Sequence, residues 1–348
     1  MKKVKLLSNS SIPIAIASWR RQLPDLAPQW GECEFTFDPH ARDYDWLVVY
    51  DRFPSVAEER FSQWREELAC PPENTLFVTV EPSSIKTYES AFLAQFGHVL
   101  TGHESWSINH PGVIRSQPAL RWFYGNAGET MKTLDQMLAE TPCKKTASIS
   151  TVCSNKQQKH TLHQKRYLFT QKLKAAIPEL EVFGHGVRPM RDKAEAIDPY
   201  RFHIAIENHR CDHHWTEKVA DVFLGWGLPL YYGCTNLKEY FPEDSFIEIN
   251  INDLAGTVEL VKELIESDEY EKRLPAIAKA RDFILQRYNI FPVIADLVEN
   301  QGNYPQHHPT SSVILSRHAL RKSSVTVALS YAIQSLRRRW RSLPEQDR

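Results

Sequence analysis

The sequence predicts an α/β fold of two Rossmann-like domains facing each other across a cleft. Three observations predict it. Short β-rich runs alternate with helix-length segments along most of the chain. The alternation occurs twice, on either side of a break near residues 138–145. The 348 residues, 42% of them hydrophobic, suffice for two ordinary cores.

In the first half, residues 12–16, 33–37, 45–50 and 75–80 are rich in β-branched and aromatic residues and are expected strands. Residues 55–69 and 90–96 are expected helices, and 98–101 a further strand. In the second half, 146–153 is an expected strand, 162–177 a helix, and 180–183 and 202–206 strands. A helix starts near Thr216, followed by strands at 228–232 and 246–249 and a helix over 254–265. Such alternation means parallel sheets with helices on their faces. The expected domains are residues 1–140 and 146–300, with 301–348 as an appendage.

The appendage begins with a polar linker, residues 302–312, containing Pro305 and Pro309. Residues 313–343 then combine apolar positions such as Ile314, Leu320, Leu329 and Ile333 with Arg317, Arg321, Lys322, Arg337, Arg338, Arg339 and Arg341. A basic amphipathic helix of this kind can lie on an anionic membrane surface or pack on the body with its basic face solvated.

A formal net charge of −1 gives no reason to expect a nucleic-acid partner. The six cysteines are scattered without a Cys-x-x-Cys pair, which suits reduced thiols in the cytoplasm. Met1-Lys-Lys-Val-Lys is followed by no long apolar run, so neither signal peptide nor membrane anchor is expected.

The most informative stretch is Tyr200-Arg-Phe-His-Ile-Ala-Ile-Glu-Asn208, then Trp215-Thr-Glu-Lys218, then Leu228-Pro-Leu-Tyr-Tyr-Gly233. It reads as buried strand, polar loop, helix start and second buried strand. Glu207, Asn208, Glu217 and Lys218 therefore gather where a strand's carboxyl end meets a helix's amino end. Ligands bind in that crevice in open α/β sheets, and a helix amino terminus with a nearby lysine favours phosphate.

This stretch resembles the α-1,3/1,4-fucosyltransferases, glycosyltransferase family 10, in bacterial form without an anchor. The resemblance rests on Tyr200-Arg201-Phe202, Glu207-Asn208, Thr216-Glu217-Lys218, Leu228-Pro229-Leu230 with Gly233, and Pro242-Glu243-Asp244-Ser245-Phe246-Ile247, in register. It covers residues 146–255 well and the amino-terminal half weakly. It implies the GT-B glycosyltransferase fold and an inverting transfer of fucose from GDP-fucose to a glycan hydroxyl, lipid-linked or free, as in lipopolysaccharide assembly. It implies no cofactor beyond the donor. Another nucleotide sugar on the same fold, or a binding protein without turnover, are the alternatives.

Transfer from a nucleotide sugar needs a base for the acceptor hydroxyl and positive charge for the departing pyrophosphate. Glu81, in Val80-Glu81-Pro82-Ser83, follows a buried strand and resembles the family's presumed base, although the family order is Glu-Ser-Pro. Asp51 and Glu104 are its rivals. Lys218 and Arg166 are the expected pyrophosphate cations, Arg166 resembling a phosphate-binding arginine that follows a loop with Ser154 and Asn155. Glu217 is expected on the ribose and Asn208 on the sugar or phosphate, with Glu207 sharing the donor site or bracing the loop. His214 stands where the family has tyrosine, and an imidazole there could still donate to a phosphate. The loop with His209, Cys211, Asp212, His213 and His214 looks metal-like but lacks a second ligand pair, so no metal is expected. The Asp43-Tyr-Asp45 triplet precedes its strand and is read as a turn.

Overall fold

A computed structural model describes residues 1–9, 13–55, 59–117, 119, 121–127, 131–156, 161–329 and 331–333. The chain forms two compact units. The first comprises Met1–Ala119 together with Ile290–Arg348, and the second is Leu120–Asn289. The expected boundary at 140–146 lies inside the second unit, and the expected break at 300–301 lies inside the first.

The first unit contains β1 (Lys2–Ser8), α1 (Pro13–Arg20), β2 (Gln29–Trp30), β3 (Cys33–Thr36), β4 (Trp46–Tyr50), β5 (Arg65–Glu67), β6 (Thr75–Val78), α2 (Ser90–Leu93), β7 (His98–Thr101) and β8 (Val113–Arg115). Its main sheet has the order β2-β3-β1-β4-β6-β7-β8, parallel except where β2 meets β3. Side chains alternate between two buried faces, as a doubly wound sheet requires. Trp46, Val48, Leu76 and Val78 face one core. Leu47, Val49, Phe77 and Val99 face the other.

The second unit contains α3 (Leu134–Ala139), β9 (Ala147–Val152), α4 (His163–Ala176), β10 (Leu180–Phe183), α5 (Ala194–Ile197), β11 (Tyr200–Ile206), α6 (Glu217–Leu224), β12 (Leu228–Tyr232), β13 (Ile247–Glu248), α7 (Leu254–Glu266) and α8 (Glu269–Gln286). Its five parallel strands have the order β10-β9-β11-β12-β13. The order reverses between β9 and β11, and in open sheets a ligand crevice forms outside the strand ends at such a reversal.

The chain then returns to the first unit through α9 (Ile290–Glu299), β14 (Val313–Leu315) and α10 (Arg317–Ser323). Ile290, Phe291, Ile294 and Val298 of α9 complete one of its cores, with Phe291 edge-on to Phe35 at 4.9 Å. Removing a ring like Phe291 costs about 3–5 kcal/mol. Two Rossmann-like α/β units are therefore present, which is the domain composition of the GT-B class.

Several expected elements are corrected. Residues 13–16, expected as strand, lie in α1, whose first residue is Pro13. Proline suits that position because the amide it lacks would have no helical partner. The first strand is instead β1, hidden by its lysines. Lys5 is fully buried and pairs with the equally buried Glu66 at 2.8 Å. Of the helix expected over 55–69, residues 56–58 lie outside the described residues, while 65–67 form β5. The helix expected from residue 313 starts instead as a strand, because β14 pairs antiparallel with β5. Residues 325–329 and 331–333 are helical, and the Arg337–Arg341 cluster lies outside the described residues. Among the described residues, no helix is long and apolar enough to cross a membrane.

Candidate donor site

In the second unit, β11 ends at Ile206 and Glu207 turns inward, fully buried. Its Oε1 accepts a hydrogen bond from the Thr216 amide at 2.8 Å, and its Oε2 accepts from the Thr216 hydroxyl at 2.8 Å. Gly233 leaves room for this carboxylate, since a Cβ there would lie 2.4 Å from Glu207 Cγ. Thr216 in turn caps α6, its hydroxyl accepting from the Lys218 amide at 3.3 Å. Glu207 thus ties the strand's end to the helix's start, which favours its bracing role.

A pocket of about 190 Å³ lies at the ends of β9 and β11. Arg166, Lys193 and Lys218 line it, against the two carboxylates Glu217 and Asp221. With histidines neutral, the lining carries three positive charges against two negative. Lys218 Nζ lies 3.2 Å from Glu207 Oε2, 3.3 Å from Glu217 Oε1 and 3.0 Å from the Thr216 hydroxyl. Burial pulls this ammonium's pKa down, but Glu207 and Glu217 more than offset it and hold the pKa above the ordinary lysine value. Burial pushes the Glu217 carboxyl up, yet Lys218 and Lys193, with hydrogen bonds from Lys218 and Thr216, bring it down to about 2. Both groups are charged at neutral pH.

Arg166 is 7% exposed. One guanidinium nitrogen donates to the Ile206 carbonyl at 3.3 Å, and its buried Nε has no partner among the described residues. A buried guanidinium with an open donor suits an anion supplied from outside the chain.

The structure brings Ser154, Arg166, Glu217 and Lys218 together around this pocket. Asn208 sits beside Glu207. Its carbonyl accepts from the Leu162 amide at 3.1 Å, and its side-chain oxygen is buried without a partner among the described residues. Asn155 is exposed, with its amide donating to the His185 carbonyl at 3.2 Å. His214 is 4% exposed, its ring 5.8 Å from that of His209, and it does not line the pocket. His213 is held by Tyr240, its Nδ1 2.6 Å from the hydroxyl.

Glu81 lies in the first unit, in the turn after β6, half-buried. His103 Nε2 lies 2.8 Å from its main-chain oxygen, and the Pro82 carbonyl accepts from the amides of Ile85 and Lys86 at 2.9 Å each. Its rival Asp51 is engaged by Lys86 at 2.8 Å and by the Tyr88 hydroxyl. Burial raises the Asp51 carboxyl, but Lys86, Tyr88 and Arg52 pull it below the usual range, so Asp51 is a poor proton acceptor.

Lys193 and Asp221 were not legible as site residues. Lys193 Nζ lies 2.7 Å from Asp221 Oδ2 and 3.8 Å from Glu217 Oε1. The available signal was Asp221 itself, a carboxylate among the apolar residues of α6, which needs a counter-ion once buried.

Residues 142–274 match the family described as glycosyltransferase family 10 (fucosyltransferase), C-terminal part. The segment is similar to that family. It holds all the pocket residues named above. The chain is 25% identical over 128 residues to the 4-galactosyl-N-acetylglucosaminide 3-alpha-L-fucosyltransferase of Pan troglodytes, covering 35% of each chain. It thus spans about a third of that relative's length. Among solved structures, an α1,3-fucosyltransferase with GDP-fucose aligns with TM-score 0.46 and 15% identity, over 83% of this chain and 92% of that one. A trehalose-phosphate synthase from Burkholderia vietnamiensis aligns with TM-score 0.47 and 10% identity, over 87% and 98%.

Proposed function

We propose that this protein is an inverting fucosyltransferase that moves fucose from GDP-fucose to a glycan hydroxyl. The observation that carries this reading is the pair Arg166 and Lys218 lining one pocket at the amino end of α6, in the family 10 segment. The guanidinium's open donor and the ammonium, at the positive end of α6, form a receptor for a diphosphate. As the sugar–oxygen bond breaks, charge builds on the leaving phosphate, and these fixed cations stabilise it. Glu217 accepts hydrogen bonds from the ribose hydroxyls, and Asn208 offers its buried oxygen to the sugar. Ser154 and Asn155 belong to the loop that borders the phosphates. Glu81 takes the proton from the acceptor hydroxyl while that oxygen attacks the sugar carbon opposite the leaving GDP, which inverts the configuration.

In this reading the donor is held by the second unit and the acceptor by the first. The family likeness supports an enzyme of glycan assembly, and a bacterial cytoplasm with lipopolysaccharide as acceptor is the setting proposed for it. The basic residues Arg337, Arg338, Arg339 and Arg341 support contact with a membrane surface. His214 favours a second reading, another nucleotide sugar, because it replaces the family's tyrosine.

Thermal unfolding with GDP, UDP and CDP separates the readings, since a ligand bound only by the folded state raises the melting temperature. GDP alone should raise it. Stabilisation by UDP instead would establish the second reading, and GDP binding without transfer to any glycan on an array would point to a binding protein.

A further inference from the structure

Lys193 is the pocket cation that the donor reading leaves without a task. Its ammonium sits between two carboxylates of one helix face, 2.7 Å from Asp221 and 3.8 Å from Glu217. Asp221, 1% exposed, is fixed from both sides: Oδ2 by Lys193 and Oδ1 by the Phe123 amide at 3.1 Å. The Lys193 ammonium also lies 5.4 Å from the Phe123 ring centroid. Lys193 is thus anchored on Asp221 and reaches Glu217 from that anchor.

Glu217 and Asp221 are four residues apart on α6, where like charges repel. Lys218 alone cannot balance Glu217, because Glu207 also draws on it at 3.2 Å. The other groups around the pocket are Arg166 of α4, His203 of β11 and His185 of the loop before α5. His203 is buried and neutral, its pKa driven down to about 3. Lys193 is therefore the remaining counter-charge of the ribose-facing carboxylate.

We propose that Lys193 is a positioning residue for the donor: anchored on Asp221, it holds the Glu217 carboxylate in place to accept the ribose hydroxyls, and itself touches no phosphate. This rests on the donor reading above. The test is Lys193→Met, followed by GDP affinity, steady-state kinetics and an NMR titration of the Glu217 carboxyl. The expected result is a GDP Kd raised about tenfold, a donor KM raised in step, and a kcat within about twofold of the parent. The Glu217 titration midpoint should rise by about one pH unit or more, a change that mere loosening of the fold would not produce. Lys193→Arg should restore both.

An unchanged Glu217 midpoint would overturn the proposal, as would a fall in kcat with KM unaltered, which would place Lys193 on the leaving group. Should Lys193→Met fail to fold with Asp221 unpaired, the double variant Lys193→Met/Asp221→Asn removes both charges and is expected to raise the Glu217 midpoint by less, in the same direction, because the repelling carboxylate is lost as well. A parent protein that binds no GDP would overturn the donor reading, and the titration would still decide the role of Lys193.

Discussion

Arg321 Nε lies 2.7 Å from Oε1 of Glu89, a carboxylate only 1% exposed. Arg317 meets the other oxygen, its Nε 2.7 Å from Oε2, and also donates to the Thr87 carbonyl. The basic segment after the linker is therefore partly spent inside the first unit. Ile314 of β14 joins the same core as Phe77 and Phe92. Both expected readings of the tail divide along its length: residues 313–323 pack on the body, and a surface role is left to the residues beyond 323.

Arg317→Met combined with Arg321→Met strips Glu89 of both partners and should destabilise the protein by about 3–5 kcal/mol. The same change in a Glu89→Leu background should cost far less. Urea unfolding of the full chain measures both, and a double arginine variant as stable as the parent would contradict the clamp.

Glu81→Gln should fold normally, bind GDP as the parent does, and transfer fucose about 10²–10⁴-fold more slowly. The amide keeps the shape and loses the basic oxygen. A variant with full rate would show that another group takes the proton.

Arg166→Ala and Lys218→Met should each weaken GDP binding by about 2–3 kcal/mol, since each removes a charged hydrogen-bond donor to the diphosphate. Lys218→Met also leaves Glu207 buried without its cation, so its melting temperature should fall, whereas loss of Arg166 strips no carboxylate of an ion pair found among the described residues. Calorimetric titration with GDP and a thermal melt distinguish the two effects.

Burial lowers His110 to about 4, helped by His307, and His203 to about 3. The folded state thus takes up these protons later than the unfolded chain, whose histidines titrate near 6.5. Their contribution is fully present above that value and declines as pH falls toward 4 and 3. Each should cost about 1.4 kcal/mol per pH unit in that window. Denaturant unfolding between pH 7 and 4.5 should show this slope, and His203→Gln should flatten it.

The strand–loop–helix–strand order around Glu207 and Lys218 was legible because it depends on local chemistry: an apolar strand, a polar loop and a capping threonine. Arg166 was legible only through the family pattern. β1 was not, because Lys5 is a strand residue by virtue of Glu66, sixty-one positions away. Lys193 was hidden for the same reason, since its meaning comes from Asp221 on another element. Polar residues whose partners are remote carry no periodic signal. The tail misled through its own regularity: an apolar and basic pattern suited to a helix was overridden at residues 313–315 by an available strand edge on β5.

The first unit is assembled from both ends of the chain, with the second inserted between them. A ribosome therefore delivers all of the second unit before α9 can cover the sheet that waits for it. Trp46, Val48 and Leu76 remain without their helical lid while some 170 further residues are made, on the order of ten to thirty seconds at ordinary elongation rates. Newborn chains of this protein pass through a stage with an open apolar sheet, and holding chaperones that bind such surfaces should improve the yield of folded protein.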